Sequence, residues 1–305
     1  MTAPQAGTVV GVEELRRAWR AVQDGDFRSS LTRRTSSAGH ARDSGHTRST
    51  GGGPAPGVGW VPVGPVVVVV GCAGSVGATT TALAVATAAG AARVVECCTL
   101  TASGLVAAST GELGRHRSGW NQGHRDQVLL ERTDRLLVGV EEVPVPAGVD
   151  GRFDLTVVDV GWDPATALGT RSWIADLLRD GAPVVAVAAP TIPGLRRLEG
   201  TLALLPACRV VAAVRGPCPG LGLSPGRGLR VGRGLRRGRW LKGVEHTAGP
   251  LTRDLIRRGG LVEVPHDAGL AVRGLTSAPL PAAVLAAGAH LYRLTQPANL
   301  KGNPS

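Results

Sequence analysis

The sequence predicts an α/β domain built on a doubly wound, mostly parallel sheet. Apolar runs of strand length alternate with helical segments from residue 58 to residue 295, which is the pattern of a parallel sheet covered by helices. The run Val66–Val70 consists of valine alone, as expected for a strand that is buried on both faces. A glycine-rich turn follows this run directly and leads into a helical segment.

The remaining elements of the domain follow from the same alternation. Strands are predicted at 92–97, 155–160, 184–188, 209–214 and 261–264, and helices at 79–89, 172–178, 195–205, 252–258 and 282–294. Residues 127–130 and 136–140 are weaker candidates for a strand or a helix.

Residues 1–57 are predicted to lie outside this domain. The spacing of apolar residues in Val12–Val22 predicts a short helix. Two interpretations of that helix stay open: it docks on its own domain, or it binds a protein partner. Residues 28–57 are rich in Ser, Thr, Arg, Gly and His, which is typical of a disordered linker. Residues 296–305 are predicted to form a tail.

The composition argues against a secreted or membrane-spanning protein. The apolar segment Val58–Ala92 is long enough to cross a bilayer. Pro62, Pro65 and a glycine cluster interrupt it, however, so a buried strand, a loop and a buried helix explain it better. Residues 1–11 lack the basic and apolar regions of a secretory signal. The five cysteines have no zinc-site spacing and are expected to be reduced thiols, as in a cytoplasmic protein.

Nearly all of the net charge of +11 lies in residues 209–260. Within an expected loop insertion at 216–249, the stretch 226–243 (GRGLRVGRGLRRGRWLKG) holds six arginines and one lysine without an acid. Arginine suits phosphates and Trp240 suits base stacking, so non-specific nucleic-acid binding is one interpretation. An anionic membrane surface, an acidic protein partner and a solvated loop are the others. The candidate nucleic-acid-binding residues are Arg227, Arg230, Arg233, Arg236, Arg237, Arg239 and Lys242.

The segment Val66–Leu83 (VVVVVGCAGSVGATTTAL) predicts a site for an anion. A glycine-rich turn exposes backbone N–H groups, and the following helix adds the positive end of its dipole. Thr79 and Thr80 stand where a hydroxyl can cap the helix or bind Mg²⁺. The candidate phosphate-binding residues are Gly74, Ser75, Val76, Gly77, Ala78, Thr79 and Thr80, and the candidate magnesium ligands are Thr79 and Asp159.

This loop resembles the deviant Walker A motif of the ParA/MinD branch of P-loop nucleotide-binding proteins, roughly K-G-G-x-G-K-[ST]-[ST]. Ala73 and Ala78 stand at its two lysine positions. The family's first lysine reaches phosphate across a dimer, and its second contacts the β- and γ-phosphates. The resemblance therefore implies a P-loop NTPase-like fold over about residues 60–295 and a degenerate member with weak or absent ATPase activity. It also implies ATP and Mg²⁺ as cofactors and a homodimer.

Three further segments are similar to motifs of that family and follow in the same order. Glu96 and Cys98 stand at the two acids of the Asp-x-Asp that ends the second strand, which implies that the family's catalytic acid is missing. Phe153–Gly161 (FDLTVVDVG) resembles the Walker B strand, with Asp159 in position to hold Mg²⁺ through water. Val262–Asp267 (VEVPHD) resembles the closing [IV]-P-x-D segment.

Two alternatives to this interpretation of the motifs stay open. Asp159 alternatively caps the turn that follows its strand. The glycines Gly71, Gly74 and Gly77 also match G-x-x-G-x-x-G, a dinucleotide-binding pattern, and Glu96 falls where a ribose-binding acid belongs.

Three functions correspond to these alternatives. The first is a nucleotide-responsive switch or scaffold in DNA partitioning, DNA transfer or the positioning of a cellular machine. The second is a non-catalytic scaffold that uses only the fold and the basic stretch to bind nucleic acid or a membrane surface. The third is an NAD(P)-binding enzyme. Binding of ATP with Mg²⁺ would separate the first from the second, and binding of NAD(P) would support the third.

Overall fold

One mixed sheet organises the residues that the computed structural model describes, which are 59–148, 153–216 and 246–296. Its strands are, in chain order, β1 (Val66–Gly71), β2 (Ala92–Cys97), β3 (Gly111–Arg115), β4 (Asn121–Arg125), β5 (Val128–Arg132), β6 (Leu155–Val160), β7 (Val184–Ala188), β8 (Val210–Arg215) and β9 (Leu261–Val264). They lie side by side in the order β3-β4-β5-β2-β6-β1-β7-β8-β9. All neighbours pair in parallel except β3–β4 and β4–β5, which are antiparallel. The predicted mostly parallel sheet is confirmed.

Helices cover both faces of this sheet, which confirms the doubly wound arrangement. In the described residues they are α1 (Ala78–Ala89), α2 (Pro164–Gly169), α3 (Trp173–Arg179), α4 (Ile192–Leu204), α5 (Pro250–Arg257), α6 (Ala268–Arg273) and α7 (Ala282–Thr295). One core joins Val68 and Val70 of β1 to α3 and α4, and the other joins Val67 and Val69 to α1 and α7. Since successive side chains of a strand point to opposite faces, an all-valine strand supplies both cores.

Side-chain caps fix where several of the helices begin. Oδ1 of Asp163 accepts hydrogen bonds from the N–H groups of Ala165 and Thr166 at the start of α2, at 2.9 and 3.2 Å. Ser172 caps α3 and Thr191 caps α4 in the same way. Each cap satisfies N–H groups that the first turn of a helix leaves without a partner. The short helix α2 has no counterpart among the predicted elements.

The hairpins at one edge of the sheet differ from the sequence prediction. β5 confirms the candidate at 127–130, but the candidate at 136–140 is wrong, because it forms neither a strand nor an α-helix. That segment is a loop, held by a 3.0 Å hydrogen bond from the N–H of Leu137 to Oγ1 of Thr99. β3 and β4 have no predicted counterpart. Their sequences, GELGR and NQGHR, lack the β-branched and aromatic residues that favour strands.

The apolar segment that ends at residue 92 forms β1, the glycine loop and α1, as predicted. None of the helices in the described ranges has the length and apolar content that a bilayer crossing requires. The predictions for residues 1–57, for the basic stretch 226–243 and for the tail lie outside the described residues and stay predictions.

Candidate functional site

The candidate site lies at the carboxyl end of β1, in the middle of the sheet. β1 is flanked by β6 on one side and β7 on the other, and the chain leaves β1 toward β2 but later continues to β7, β8 and β9 on the opposite side. Such a reversal of winding opens a crevice at the ends of the strands. A cavity of about 680 Å³ lies there.

The glycine loop between β1 and α1 forms one wall of this cavity. Gly77, the residue before α1, has φ 93° and ψ 27°, in the left-handed region that favours glycine. Ser75 also has a positive φ, of 60°. All of the predicted phosphate-binding residues line the cavity: Gly74, Ser75, Val76, Gly77, Ala78, Thr79 and Thr80. Asp159 lines the same cavity.

The backbone of this loop presents donors without acceptors. The N–H groups of residues 73–80 donate no hydrogen bond to any described residue. The first hydrogen bond of the helical turn runs from the N–H of Thr81 to the carbonyl of Gly77, at 3.0 Å. Free N–H groups around a helix N-terminus and left-handed residues form a concave site that favours an anion.

The residues that the structure describes along this wall include no lysine. Ala73 and Ala78, at the two lysine positions of the motif that the loop resembles, both line the cavity. Among the described residues that line it, Arg215 is the one cationic side chain, and it stands at the end of β8, two strands away from β1. An anion at this loop would therefore meet backbone dipoles rather than a formal positive charge.

Asp159 on β6 faces this loop with an unsatisfied carboxylate. The residue is 2% exposed, and its Oδ1 has no hydrogen-bond partner among the described residues. Burial, and after it the charge of Glu96, raise the pKa of Asp159 to about 7, while a hydrogen bond with the Thr79 side chain opposes both effects. A buried oxygen without a partner calls for a cation or a water molecule. The alternative that Asp159 caps the next turn is wrong, because no N–H group of the described residues donates to its carboxylate; Asp163 instead caps α2.

Glu96 lies beside Asp159 but does not line the cavity. Its Oε2 accepts a hydrogen bond from Oγ of Ser103 at 2.5 Å, and its Oε1 accepts from the N–H groups of Gly104 and Leu105 at 2.6 and 3.1 Å. Burial raises the pKa of Glu96 although these donors lower it. Both oxygens are thus used to hold the loop after β2. The ribose-binding role that the dinucleotide alternative gives to Glu96 is therefore not supported, because Glu96 does not line the cavity.

Cys98 occupies the position of the second acid of the family's Asp-x-Asp and lines the cavity. It is 4% exposed, and burial raises the pKa of its thiol well above the usual value. A neutral thiol cannot accept the proton of an attacking water as a carboxylate does. The residue that follows β6 beside it has to be a glycine, because a Cβ on Gly161 would overlap Cβ of Cys98.

Two charged residues at the far end of the cavity were not among the predicted site residues, although Asp267 ends the VEVPHD segment. Arg215 ends β8, and Asp267 follows β9 as the cap of α6, where its Oδ1 accepts a 2.8 Å hydrogen bond from the N–H of Leu270. The sequence could have indicated Arg215 as a site residue, because it directly follows a predicted apolar strand and the carboxyl ends of parallel strands share one edge of the sheet.

No family model and no curated protein matches the chain. Solved structures with a similar fold include a putative plasmid partition protein from Borrelia burgdorferi B31 bound to AMPPNP, with a TM-score of 0.46 and 8% identity over 76% of this chain and 98% of that one. A MinC:MinD cell division complex from Aquifex aeolicus gives 0.42 and 15% over 74% and 95%. Cobyrinic acid a,c-diamide synthase from Mycobacterium smegmatis, with an ATP analogue and magnesium, gives 0.33 and 13% over 75% and 92%. Since every one of these TM-scores is below 0.5, what the chain does has to follow from its own residues.

Proposed function

We propose that this chain binds a nucleoside triphosphate or diphosphate with Mg²⁺ and serves as a nucleotide-responsive switch or scaffold of the partition and positioning kind. The observation that carries the proposal is the joint presence, in one cavity, of the free N–H groups of residues 73–80 and the unpartnered oxygen of Asp159. The first group suits phosphate oxygens, and the second suits the metal ion that accompanies them.

The residues present fit a magnesium ion. Mg²⁺ retains several waters and is usually held by one or two carboxylates together with phosphate oxygens of the substrate. Asp159 supplies one carboxylate, and the hydroxyl of Thr79, which lies close enough to lower the pKa of that carboxyl, supplies a second oxygen. When bound, the ion neutralises part of the phosphate charge. In this chain that contribution matters more than usual, because Ala73 and Ala78 supply none.

Hydrolysis by this site is expected to be slow or absent. Phosphoryl transfer depends on positive charge at the transferring phosphate and on a residue that orients the attacking water. Ala78 removes the first, and Cys98, buried and neutral, does not supply the second. We therefore propose a switch that responds to which nucleotide is bound, with ATP as the ligand that the family resemblance implies.

Equilibrium titration of the full chain with ATP, ADP, GTP and GDP, with and without Mg²⁺, tests this proposal. We expect Mg²⁺-dependent binding that Thr79→Ala weakens at least about tenfold, since a charge-assisted contact contributes about 1.5–3 kcal/mol. The matched control is Thr87→Ala, which removes a threonine hydroxyl on the same helix that bonds only the carbonyl of Leu83, at 2.8 Å. Absence of binding at millimolar nucleotide would overturn the proposal and leave a scaffold.

The basic stretch supports a second proposal, binding of nucleic acid by residues 226–243. Six arginines and one lysine without an acid suit contacts to phosphates. We expect the full chain to bind random-sequence duplex DNA with an affinity that falls steeply as salt rises, and replacement of the seven basic residues by glutamine to abolish it. Vesicles of anionic lipid serve as the comparison. Binding to vesicles but not to DNA, or DNA binding that the glutamine variant retains, would refute this proposal.

A further inference from the structure

The cavity extends from the glycine loop along the edge of the sheet to β8 and β9. β8 is the second strand from β1 on that side and β9 the third. Because neighbouring strands lie about 4.8 Å apart, the ends of β8 and β9 are roughly 10 and 14 Å from the loop. That span is comparable to the length of an extended nucleoside triphosphate from its terminal phosphate to its base. With phosphates on the loop, the base of the proposed nucleotide therefore lies at the β8–β9 end.

The wall at this far end is mainly apolar. Val264 ends β9 and Pro265 follows it, while Leu270 lies on α6 and Leu275 after it. Apolar side chains with a few polar groups are the usual lining of a pocket that holds a flat ring. The polar groups of this end then decide which ring is held.

Two charged side chains face this end of the cavity. Arg215 forms no hydrogen bond or ion pair through its guanidinium with any described residue. Asp267 uses Oδ1 to cap α6, and its Oδ2 accepts no hydrogen bond in the described part of the chain. Arg215 offers donors only, and Asp267 offers acceptors only.

This pair of groups matches guanine better than adenine. Guanine presents two acceptors, O6 and N7, that arginine binds with two parallel hydrogen bonds. It also presents donors at N1 and N2, which a carboxylate accepts. Adenine offers arginine only N7 on that edge, and the N6 amino group beside it repels a second donor. Arg215 and Asp267 therefore satisfy more of the polar groups of guanine than of adenine.

We infer that Arg215 and Asp267 select the base, and that the nucleotide of this site is a guanine nucleotide. This inference rests on the proposed function, because it assumes that the phosphates occupy the glycine loop. It departs from the ATP that the family resemblance implies, on the basis of two side chains that this chain itself carries at the end of the cavity.

Competition between Mg²⁺-GTP, Mg²⁺-ATP and Mg²⁺-ITP for the full chain tests the inference. We expect GTP to bind roughly tenfold or more tightly than ATP, since one added buried hydrogen bond to a charged group is sufficient for that ratio. ITP, which lacks the 2-amino group, should fall between them. Asp267→Asn, which retains the capping oxygen, should reduce the preference for GTP over ITP, and Arg215→Gln should reduce the preference for GTP over ATP. The control is Arg171→Gln, an exposed arginine before α3 that does not line the cavity.

The outcomes separate the two levels of the proposal. If ATP binds as tightly as GTP or more tightly, the inference about the base is wrong while the proposed function stands. A preference for GTP that survives both Arg215→Gln and Asp267→Asn assigns the selection to other residues and overturns the roles of these two side chains. If neither nucleotide binds, the proposed function fails together with the inference.

Discussion

Glu96 and Asp159 lie directly opposite each other on the neighbouring parallel strands β2 and β6, and they are 1% and 2% exposed. The pKa of each carboxyl is raised, first by burial, and for Asp159 also by the charge of Glu96. The two differ in their partners, because Glu96 receives three hydrogen bonds and Asp159 keeps one oxygen without a partner among the described residues. Glu96 is therefore a structural group that anchors the next loop, and Asp159 is the group that has capacity for a ligand.

Asp159→Asn is expected to stabilise the ligand-free chain above neutral pH. The pKa of Asp159 rises from 3.8 to about 7 on folding, so between these values the native state holds a proton that the unfolded state has lost. The native chain therefore loses stability as pH rises from about 4 to about 7, by an amount on the order of 4 kcal/mol. The asparagine variant has no carboxyl at this position, so its stability should not fall in this way as pH rises. Urea unfolding from about pH 4 to about pH 8 measures the difference between the two curves.

The control for this series is Asp176→Asn on α3, an exposed acid whose removal should change stability by less than about 0.5 kcal/mol at any pH. Addition of Mg²⁺ above neutral pH should stabilise the native chain but not the Asp159→Asn variant. If the stability of the native chain and that of the Asp159→Asn variant changed in parallel across the whole pH range, the raised pKa of the Asp159 carboxyl would be contradicted.

Ala78→Lys is expected to convert the loop into a tighter triphosphate site. Ala78 is the first residue of α1 and lines the cavity, so an ammonium at this position adds the positive charge that the wall lacks. We expect ATP and GTP to gain about tenfold or more in affinity, and the corresponding monophosphates to gain much less. Titration of both forms of the nucleotide measures this. Ala286→Lys, on the exposed face of α7, adds the same charge away from the loop, and an equal gain there would rule out a local effect.

Gly161→Ala is expected to destabilise the fold and disturb the site together. The added Cβ would overlap Cβ of Cys98, at the point where β2 and β6 end side by side. Overpacking of this kind costs about 1–3 kcal/mol, and it displaces the strand that carries Asp159. Thermal unfolding and nucleotide titration give the two readouts. Gly169→Ala is the matched control, because its Cβ meets nothing within 4 Å. Equal stability of the two variants would argue against the close approach at Gly161.

The sequence predicts best the elements whose burial is reflected in an apolar amino-acid composition. β2, β6, β7 and β9 have the predicted bounds, since each is a short apolar run between turns and lies inside the sheet or under a helix. β3 and β4 escape prediction because an exposed edge hairpin needs no apolar run. What positions them is tertiary contact, such as the guanidinium of Arg125, which donates to the carbonyls of Ala108 and Thr276.

The candidate site follows a similar division. The sequence locates the glycine loop through a contiguous motif, and it locates Asp159 through its place near the end of a predicted buried strand. The roles of Asp163, Glu96 and Arg215 depend instead on which strand lies beside which, and a single sequence does not state that order. Asp163 rather than Asp159 is the capping acid after β6, because Asp163 directly precedes α2 and accepts from its first N–H groups.

Glu131→Gln is expected to lower the free energy of unfolding more than replacement of both members of the buried Arg93–Glu131 ion pair by apolar residues. Nε of Arg93 lies 3.3 Å from Oε2 of Glu131, with both side chains buried, but the contact lacks hydrogen-bond geometry. Arg93 also donates to the carbonyl of Ala147 at 2.8 Å, and Gln122 donates to Glu131 at 2.7 Å. Glutamine leaves the buried charge of Arg93 without a counter-charge, at a cost of about 3–5 kcal/mol. The double variant Arg93→Met, Glu131→Leu removes both charges and should cost less than Glu131→Gln alone. Urea unfolding of Arg93→Met, Glu131→Leu and their double variant measures the coupling. A double variant that loses the sum of the two single costs would show that the charges act independently.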